Sequence, residues 1–250
     1  MQESVDISPN HPRYYSLLTR ERLVEAMREG VVTPSGLISH GRGEAFDYLI
    51  GEHTAPEAEA AERAAAAHML RAENPVICVN GNAAALAGIE LLRLAELLSA
   101  KVEVNLFHRQ PGRMERVVSH LKSLGADEIL GLSPDARISG IASERAHCCS
   151  DGIYSADVVL VPIEDGDRAE ALASMGKVVI AIDLNPLSRT SRAASVSIVD
   201  EAVRAIKGIM EHVEELRGNS ELIEKIIQEY DNESVLQGMR RRICLSLEEA

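Results

Sequence analysis

Residues 178–182, Val-Val-Ile-Ala-Ile, constrain the fold of this chain more than any other stretch. Five apolar residues, most of them β-branched, stand between Gly176 and Asp183. The run is short for a helix and lacks the alternation of a half-exposed strand. It predicts a strand covered on both faces, the habit of parallel sheets. The segments Val76–Val79, Asp157–Ile163 and Val196–Val199 read in the same way, and Lys101–Phe107 and Glu128–Leu132 add two further strands. Helical patterns lie between them: one from an Asn82 cap to about Leu98, one from Arg113 to Leu124 with Gly125 as a stop, and one from Glu164 toward Met175. Strand–helix–strand alternation predicts an α/β fold with right-handed crossovers and a mainly parallel, Rossmann-like sheet flanked by helices.

Helical additions are expected at both ends. Tyr14–Glu29 is periodic and ends at Gly30, and a short helix follows over Glu44–Ile50. Thr54-Ala-Pro-Glu57 has the spacing of a capping box and opens an alanine-rich helix that runs to Asn74-Pro75. After Asp200, which can cap the next helix, three amphipathic stripes follow: Ala202–Leu216, Leu222–Tyr230 and Val235–Ile243. The third is expected to lack partners within the chain and to dock on a second subunit. One compact domain is expected, in three segments: 1–75 helical, 76–200 the α/β core, and 201–250 C-terminal helices available for dimerisation.

Aromatic residues make up 3% of the 250 residues and Trp is absent, so the core must come from Ala, Val, Ile and Leu. A formal charge of −13 without a basic stripe excludes a nucleic-acid footprint. The N-terminus lacks the basic and apolar regions of a signal peptide, and no apolar run is long enough to span a bilayer. Four cysteines complete no zinc pattern and are expected as reduced thiols, so a cytoplasmic protein is expected.

In open α/β sheets ligands sit beyond the carboxyl ends of the strands. Asp183, Asn185, Ser188, Arg189, Thr190, Ser191 and Arg192 follow the Val178–Ile182 strand, and Asp200 ends the next. The acids can accept from ribose hydroxyls or an adenine amine, and the arginines can pair with phosphates; a plain strand–turn–helix link with solvated charges is the other reading. Arg20 falls on the apolar face of its helix, which requires either a buried ion pair or an anion in a cleft. In His40-Gly-Arg-Gly-Glu44, two glycines flank Arg42 just before a helix, a turn that can admit an anion.

The turn after the first strand is Asn-Gly-Asn-Ala-Ala-Ala, without the glycine fingerprint of dinucleotide folds. Asn80 and Asn82 can contact a phosphate or carboxylate, or cap a helix. Asn105 and Arg109 arrive at the end of the second strand. Asp165 and Asp167 either favour a helix start or hold Mg²⁺. Residues 133–156 form a long irregular segment carrying Arg137 and Arg145.

Several blocks are long and unusual: His11-Pro-Arg-Tyr…Arg20-Glu, Gly36-Leu-Ile-Ser-His-Gly-Arg-Gly-Glu-Ala-Phe-Asp-Tyr-Leu, Val79-Asn-Gly-Asn, Val159-Leu-Val-Pro-Ile-Glu-Asp-Gly-Asp-Arg and Ile180-Ala-Ile-Asp-Leu-Asn-Pro-Leu-Ser-Arg-Thr. In colinear order over nearly the whole chain, they resemble the archaeal 4-phosphopantoate–β-alanine ligases, or phosphopantothenate synthetases. A departure is Glu201, where that family usually has Asn.

The resemblance implies a homodimeric ligase of coenzyme A biosynthesis. Such an enzyme joins 4-phosphopantoate to β-alanine and splits ATP to AMP and diphosphate through an acyl adenylate, with Mg²⁺ on the phosphates. It implies ATP contacts at Arg20, Arg42, Asp183, Leu184, Asn185, Arg189, Thr190, Val199 and Asp200. Arg42 is then the expected catalytic cation, and His40 or Glu44 the group that accepts the amine proton. Two other classes remain open: a non-catalytic adenine-nucleotide-binding regulator on the same sheet, and an oxidoreductase with an atypical cofactor loop.

Overall fold

The computed structural model describes residues 7–40 and 43–249. Its strands are β1 (Pro75–Val79), β2 (Lys101–Val104), the two-residue pair β3 (Ala136–Arg137) and β4 (His147–Cys148), then β5 (Val158–Pro162), β6 (Val178–Ile182) and β7 (Val196–Ile198). Five of them form one sheet in the order β2-β1-β5-β6-β7, with every neighbouring pair parallel. The chain leaves β1 to one side for β2, then returns past β1 to β5. The switch point therefore lies between β1 and β5, where ligands enter open α/β sheets.

Both faces of the sheet are covered, as the continuous apolar runs require. Ile77, Val79, Leu160, Ile180, Ile182, Val196 and Ile198 point into one core. Val76, Cys78, Val159, Val161, Val179 and Ala181 point into the other. The first core is roofed by α4 (Pro56–Arg71), α5 (Gly81–Leu98), α6 (Arg113–Ser123), α9 (Ala202–Leu216) and α10 (Ser220–Glu229), with α1 (Tyr14–Arg28) packed outside α5. The second is closed by α7 (Gly166–Ser174), α8 (Arg189–Ala193) and the irregular segment carrying β3 and β4. Each fully buried Leu or Ile contributes about 1.5–3 kcal/mol. The helices α2 (Pro34–His40), α3 (Gly43–Ile50) and α11 (Asn232–Glu249) stand beyond the carboxyl edge of the sheet. Among the described residues no helix is long and apolar enough to cross a membrane.

Local expectations are corrected at several element ends, each time by a longer-range contact. The capping box does not form: Ala55 is the N-cap of α4, the Thr54 hydroxyl donates to Asp200 at 2.6 Å, and Glu57 pairs with Arg242. Asn80, not Asn82, caps α5 by accepting from the Ala83 amide. Glu201, not Asp200, caps α9. The strand expected over Glu128–Leu132 is a single bridge, Leu130 to Glu103. A helix over Pro34–His40, not expected from the sequence, leads into the His40–Glu44 stretch. The third C-terminal stripe has partners within the chain: Leu236 and Met239 are fully buried with Phe46, Ile50, Ala55 and Val199, and Ile243 packs on them.

The alanines of α4 (Ala58, Ala61 and Ala64–Ala67) are buried and let α9 pack close. One acid is trapped in that contact. Glu62 is buried against Gly208 of α9, where a Cβ would collide with its carboxyl, and its Oε1 has no hydrogen-bond partner. Burial, reinforced by Asp200, Glu59 and Glu211, pushes its pKa up to about 8 from an ordinary 4.5, against a smaller pull from Arg204. The folded chain therefore keeps this proton where the unfolded chain loses it. The resulting stability is whole below about pH 4.5 and is lost as pH rises through about 8, a swing on the order of 5 kcal/mol. Glu62→Gln is expected to melt close to wild type at pH 5 and well above it at pH 9. Parallel melting curves across that range would refute the trapped proton.

Candidate active site

All five strands of the main sheet deliver residues to one cleft of about 1000 Å³ at their carboxyl ends. Asn80–Asn82 follow β1, Leu106–His108 follow β2, Ile163–Gly166 follow β5, Asp183–Thr190 follow β6, whose last residue Ile182 also lines the cleft, and Asp200–Ala202 follow β7. Thr33, Gly36 and His40 of the α2 region and Phe46 and Leu49 of α3 roof it on one side; Arg240, Ile243 and Cys244 of α11 close another. Such a volume accommodates a nucleotide with a second small molecule.

The loop after β6 is held in shape by its own hydrogen bonds. Asp183 accepts from the Asn185 amide at 3.0 Å and the Ser188 hydroxyl at 2.5 Å. The Asn185 side chain accepts from the Leu187 amide, and Ser188 caps α8. Asp and Asn hold such turns because their short side chains reach the backbone two residues on. Thr190 is buried and donates to the Glu164 carbonyl at 3.0 Å, tying this loop to the end of β5. Gly166 makes the contact possible, since a Cβ there would collide with Arg189. Arg189 reaches the cleft with its guanidinium held by Asp167 at 2.7 Å and Glu170 at 2.8 Å.

Asp200 lies beside this loop, nearly fully buried, with one oxygen on Arg204 at 2.6 Å and the other accepting from Thr54. Val199 is a core side chain, so only its backbone can reach a ligand. Leu184 lines the cleft and packs, partly buried, against the small core that contains Phe46 and Val199. His40 lines the cleft, and burial holds its imidazole below the usual value, so the ring is neutral near pH 7.

Other expected site residues are placed elsewhere. Arg20 is not on an apolar face: its side chain is 53% exposed and lies 3.6 Å from Glu44. Glu44 is also paired with Arg13 and stays outside the cleft lining. Arg13 is the hub of that corner, meeting Glu44, Asp47 and Glu52 at 2.8–2.9 Å and lying over the Tyr48 ring. Arg42 lies outside the described residues.

Asn80 spans the switch point, donating to the carbonyls of Pro162 and Ile163. Asn82 donates to the Gly36 carbonyl and so ties α5 to α2. Asn105 is fully buried and donates to the carbonyls of Arg145 and His147, while Arg109 donates to the Gly131 carbonyl; neither lines the cleft. Asp165 caps α7 and pairs with Arg145.

Two cleft residues had no distinguishing mark in the sequence. Arg113 reads only as the first residue of a helix and Arg145 as a cation in the irregular segment, yet both are buried in the cleft wall. Arg145 pairs with Glu164 and Asp165, and Glu164 also pairs with the fully buried Arg168, so a network of two cations and two anions joins the irregular segment to the end of β5. No signal short of the tertiary fold marks them, because their partners are distant in sequence.

A family model described as phosphopantothenate/pantothenate synthetase matches residues 57–246. A protein of Thermococcus onnurineus, named 4-phosphopantoate--beta-alanine ligase, is 52% identical over 235 residues, covering 93% of this chain and 90% of its own. Proteins with the same name from Thermococcus kodakarensis and Methanosarcina mazei are 50% and 51% identical, covering 98% and 92% of this chain and 96% and 91% of theirs.

Proposed function

The chain belongs to the phosphopantothenate/pantothenate synthetase family, and from that membership we propose that it is an ATP-dependent ligase joining 4-phosphopantoate to β-alanine. The observation that carries the reading is the single cleft fed by all five strand ends, large enough to hold ATP beside a second anionic substrate. Near-full-length similarity to relatives named for this reaction supports the choice of substrates.

Joining a carboxylate to an amine requires a leaving group on the acyl carbon. A 4-phosphopantoate carboxylate oxygen attacks the α-phosphorus of ATP and diphosphate leaves. The β-alanine nitrogen then attacks the acyl carbon, AMP leaves with the bonding pair, and the nitrogen gives up a proton. ATP is proposed at the Asp183–Thr190 loop and the Asp200 edge, where the preorganised turn, Asn185 and Arg189 face the cleft. Arg42 is proposed to stabilise charge on the phosphates. His40 is proposed to accept the amine proton, since it lines the cleft in its neutral form. Glu44, engaged by Arg13, is the weaker candidate.

Among the described residues no three acidic, His or Cys groups cluster as a metal cage. Mg²⁺ is proposed to be held mainly by substrate phosphates, for which one or two carboxylates suffice. Of the two acids expected for it, Asp165 lines the cleft and is shared with Arg145, whereas Asp167 pairs with Arg189; Asp165 would contribute together with water, where the ion would offset phosphate charge.

A cytoplasmic homodimer is proposed. Tyr15, Ile38 and Tyr48 of α1–α3 are exposed and available to a second copy, and a monomer by light scattering would remove the dimer.

The decisive assay combines the protein, ATP, Mg²⁺, 4-phosphopantoate and β-alanine. AMP and diphosphate are expected in equal amounts and only with both substrates. Exchange of labelled diphosphate into ATP is expected with 4-phosphopantoate alone. Nucleotide binding without turnover would select the regulator instead, and ADP as product would remove the adenylate.

A further inference from the structure

The roof of the cleft is a thin element held from outside by one guanidinium. α3 is eight residues long, below the roughly 12 residues at which an isolated helix begins to persist in water. Ala45, Phe46 and Leu49 line the cleft, and Phe46 and Ile50 enter the small core with Val199, Leu236 and Met239. Helical spacing turns Glu44, Asp47 and Tyr48 to the other side. There Arg13, the residue before α1, places each of its three nitrogens on a different carboxylate. Nη1 meets Glu44 and Nη2 meets Asp47 at 2.8 Å, and Nε meets Glu52 at 2.9 Å. Its Cζ lies 4.6 Å from the centre of the Tyr48 ring, and Nη2 also donates to the Ser16 hydroxyl at 2.8 Å.

This corner is short of positive charge. Arg20 lies 3.6 Å from Glu44, and among the described residues no cation but Arg13 comes within ion-pair distance of Asp47 or Glu52. Burial raises the Asp47 carboxyl above its ordinary value and Glu52 adds to the rise, while Ser16, Arg13 and Arg204 oppose it. Arg204 is also the cation that holds Asp200 at 2.6 Å at the end of β7. Signs therefore alternate from the outer corner to the strand end, through Arg13, Asp47, Arg204 and Asp200. Without Arg13 the acids of α3 and Glu52 repel one another, and the repulsion falls on a helix with two buried apolar anchors.

We propose that Arg13 is a positioning residue for the reaction, clamping α3 over the carboxyl edge of the sheet and so fixing the roof, with His40, above the reacting groups. This deepens the ligase reading and rests on it. Arg13 does not line the cleft, so it acts through α3. The path from α3 to the reacting groups is short. A Cβ on Gly43, the first residue of α3, would lie 3.5 Å from Leu184 and 3.7 Å from the His40 ring. A shift of α3 is therefore felt both at His40 and at the loop after β6. Misplacing such groups by about 1 Å can cost about 100-fold in rate. A plain surface cluster would act on stability alone. The placement of all three acids on one short helix and the turn after it favours the clamp.

The test compares wild type, Arg13→Met, Arg13→Lys and the double variant Arg13→Met with Glu52→Gln, all as full-length enzymes. In Arg13→Met, kcat for AMP formation is expected to fall about 10- to 100-fold with KM for ATP within about threefold. Deuterium uptake by peptides of α3 should rise while uptake by β1 and β6 stays at the wild-type level. Lysine keeps the charge without the fork and should lose about three- to tenfold, which carries the test if methionine does not fold. Glu52→Gln removes one of the stranded acids and should recover about threefold or more of the methionine loss. A kcat within about twofold of wild type, or unchanged uptake by α3, would overturn the proposal. A uniform rise in uptake across the sheet would make Arg13 a general stabiliser, and a change of mass by light scattering would make it an interface residue; either overturns the clamp. A rise in KM for ATP at constant kcat would make it a nucleotide contact and overturn it as well. If wild type makes no AMP, the ligase reading fails, and the uptake by α3 in the two single variants decides the clamp by itself.

Discussion

Glu164→Ala is expected to lower the unfolding free energy by about 3–5 kcal/mol. Its carboxylate is 1% exposed and is shared by Arg145 and Arg168, one on each oxygen. Removing it leaves Arg168 fully buried with only the Cys78 sulfur within hydrogen-bond reach at 3.3 Å, and leaves Arg145 to Asp165 alone. The cost arises from the stranded charges rather than from the lost attraction. Replacing a whole buried pair with apolar groups is often neutral, whereas deleting one partner is not. In a chain of this length each kcal/mol moves the melting temperature by about 2–4 °C, so a fall of roughly 10 °C is expected in a calorimetric scan. Glu170→Ala, on the same element group but pairing with exposed Arg189, serves as the control and should move it by less than about 2 °C. If Glu164→Ala and the control behave alike, the network does not bear on stability.

His40→Gln is expected to lower kcat by about 100- to 1000-fold, in the range for loss of a general base. The amine of β-alanine must shed a proton to form the amide, and His40 is the cleft residue held neutral by burial. In wild type, kcat/KM for β-alanine should be level around neutral pH. It should fall tenfold per pH unit once pH drops through the His40 value, which lies below the ordinary 6.5. The variant should lose that limb while its KM for ATP stays within about threefold. A variant that keeps the wild-type limb would move the base elsewhere, with Glu44 the next candidate to test.

Both experiments probe residues that the sequence treats differently. His40 stood out because it adjoins two glycines and an arginine, a local pattern readable without coordinates. Glu164 read equally well as an ordinary acid at a helix start, and its role depends on Arg145, in a segment without regular structure. The Asp183–Thr190 loop was legible almost in full, since Asp, Asn, Pro and Ser after a buried strand dictate a turned loop by contacts of two to six residues. Arg20 was misplaced because α1 is only weakly amphipathic: Leu23 and Ala26 are its buried residues, so the periodicity overstated the apolar face.

The sequence by itself determined the parallel sheet, the sites of its loops and the family. These follow from short-range order: runs of β-branched residues, glycine stops, and motifs whose members adjoin along the chain. The tertiary structure alone decided which caps form, that α11 walls the cleft, and that Arg113 and Arg145 meet there. Thr54 and Asp200 are 146 residues apart, and their contact displaces a capping box that was locally sound; Arg113 and Val31 are 82 apart, beyond any local pattern. A helix cap or a solvated arginine contributes about 1 kcal/mol, so a buried partner supplied by a distant segment readily outweighs it.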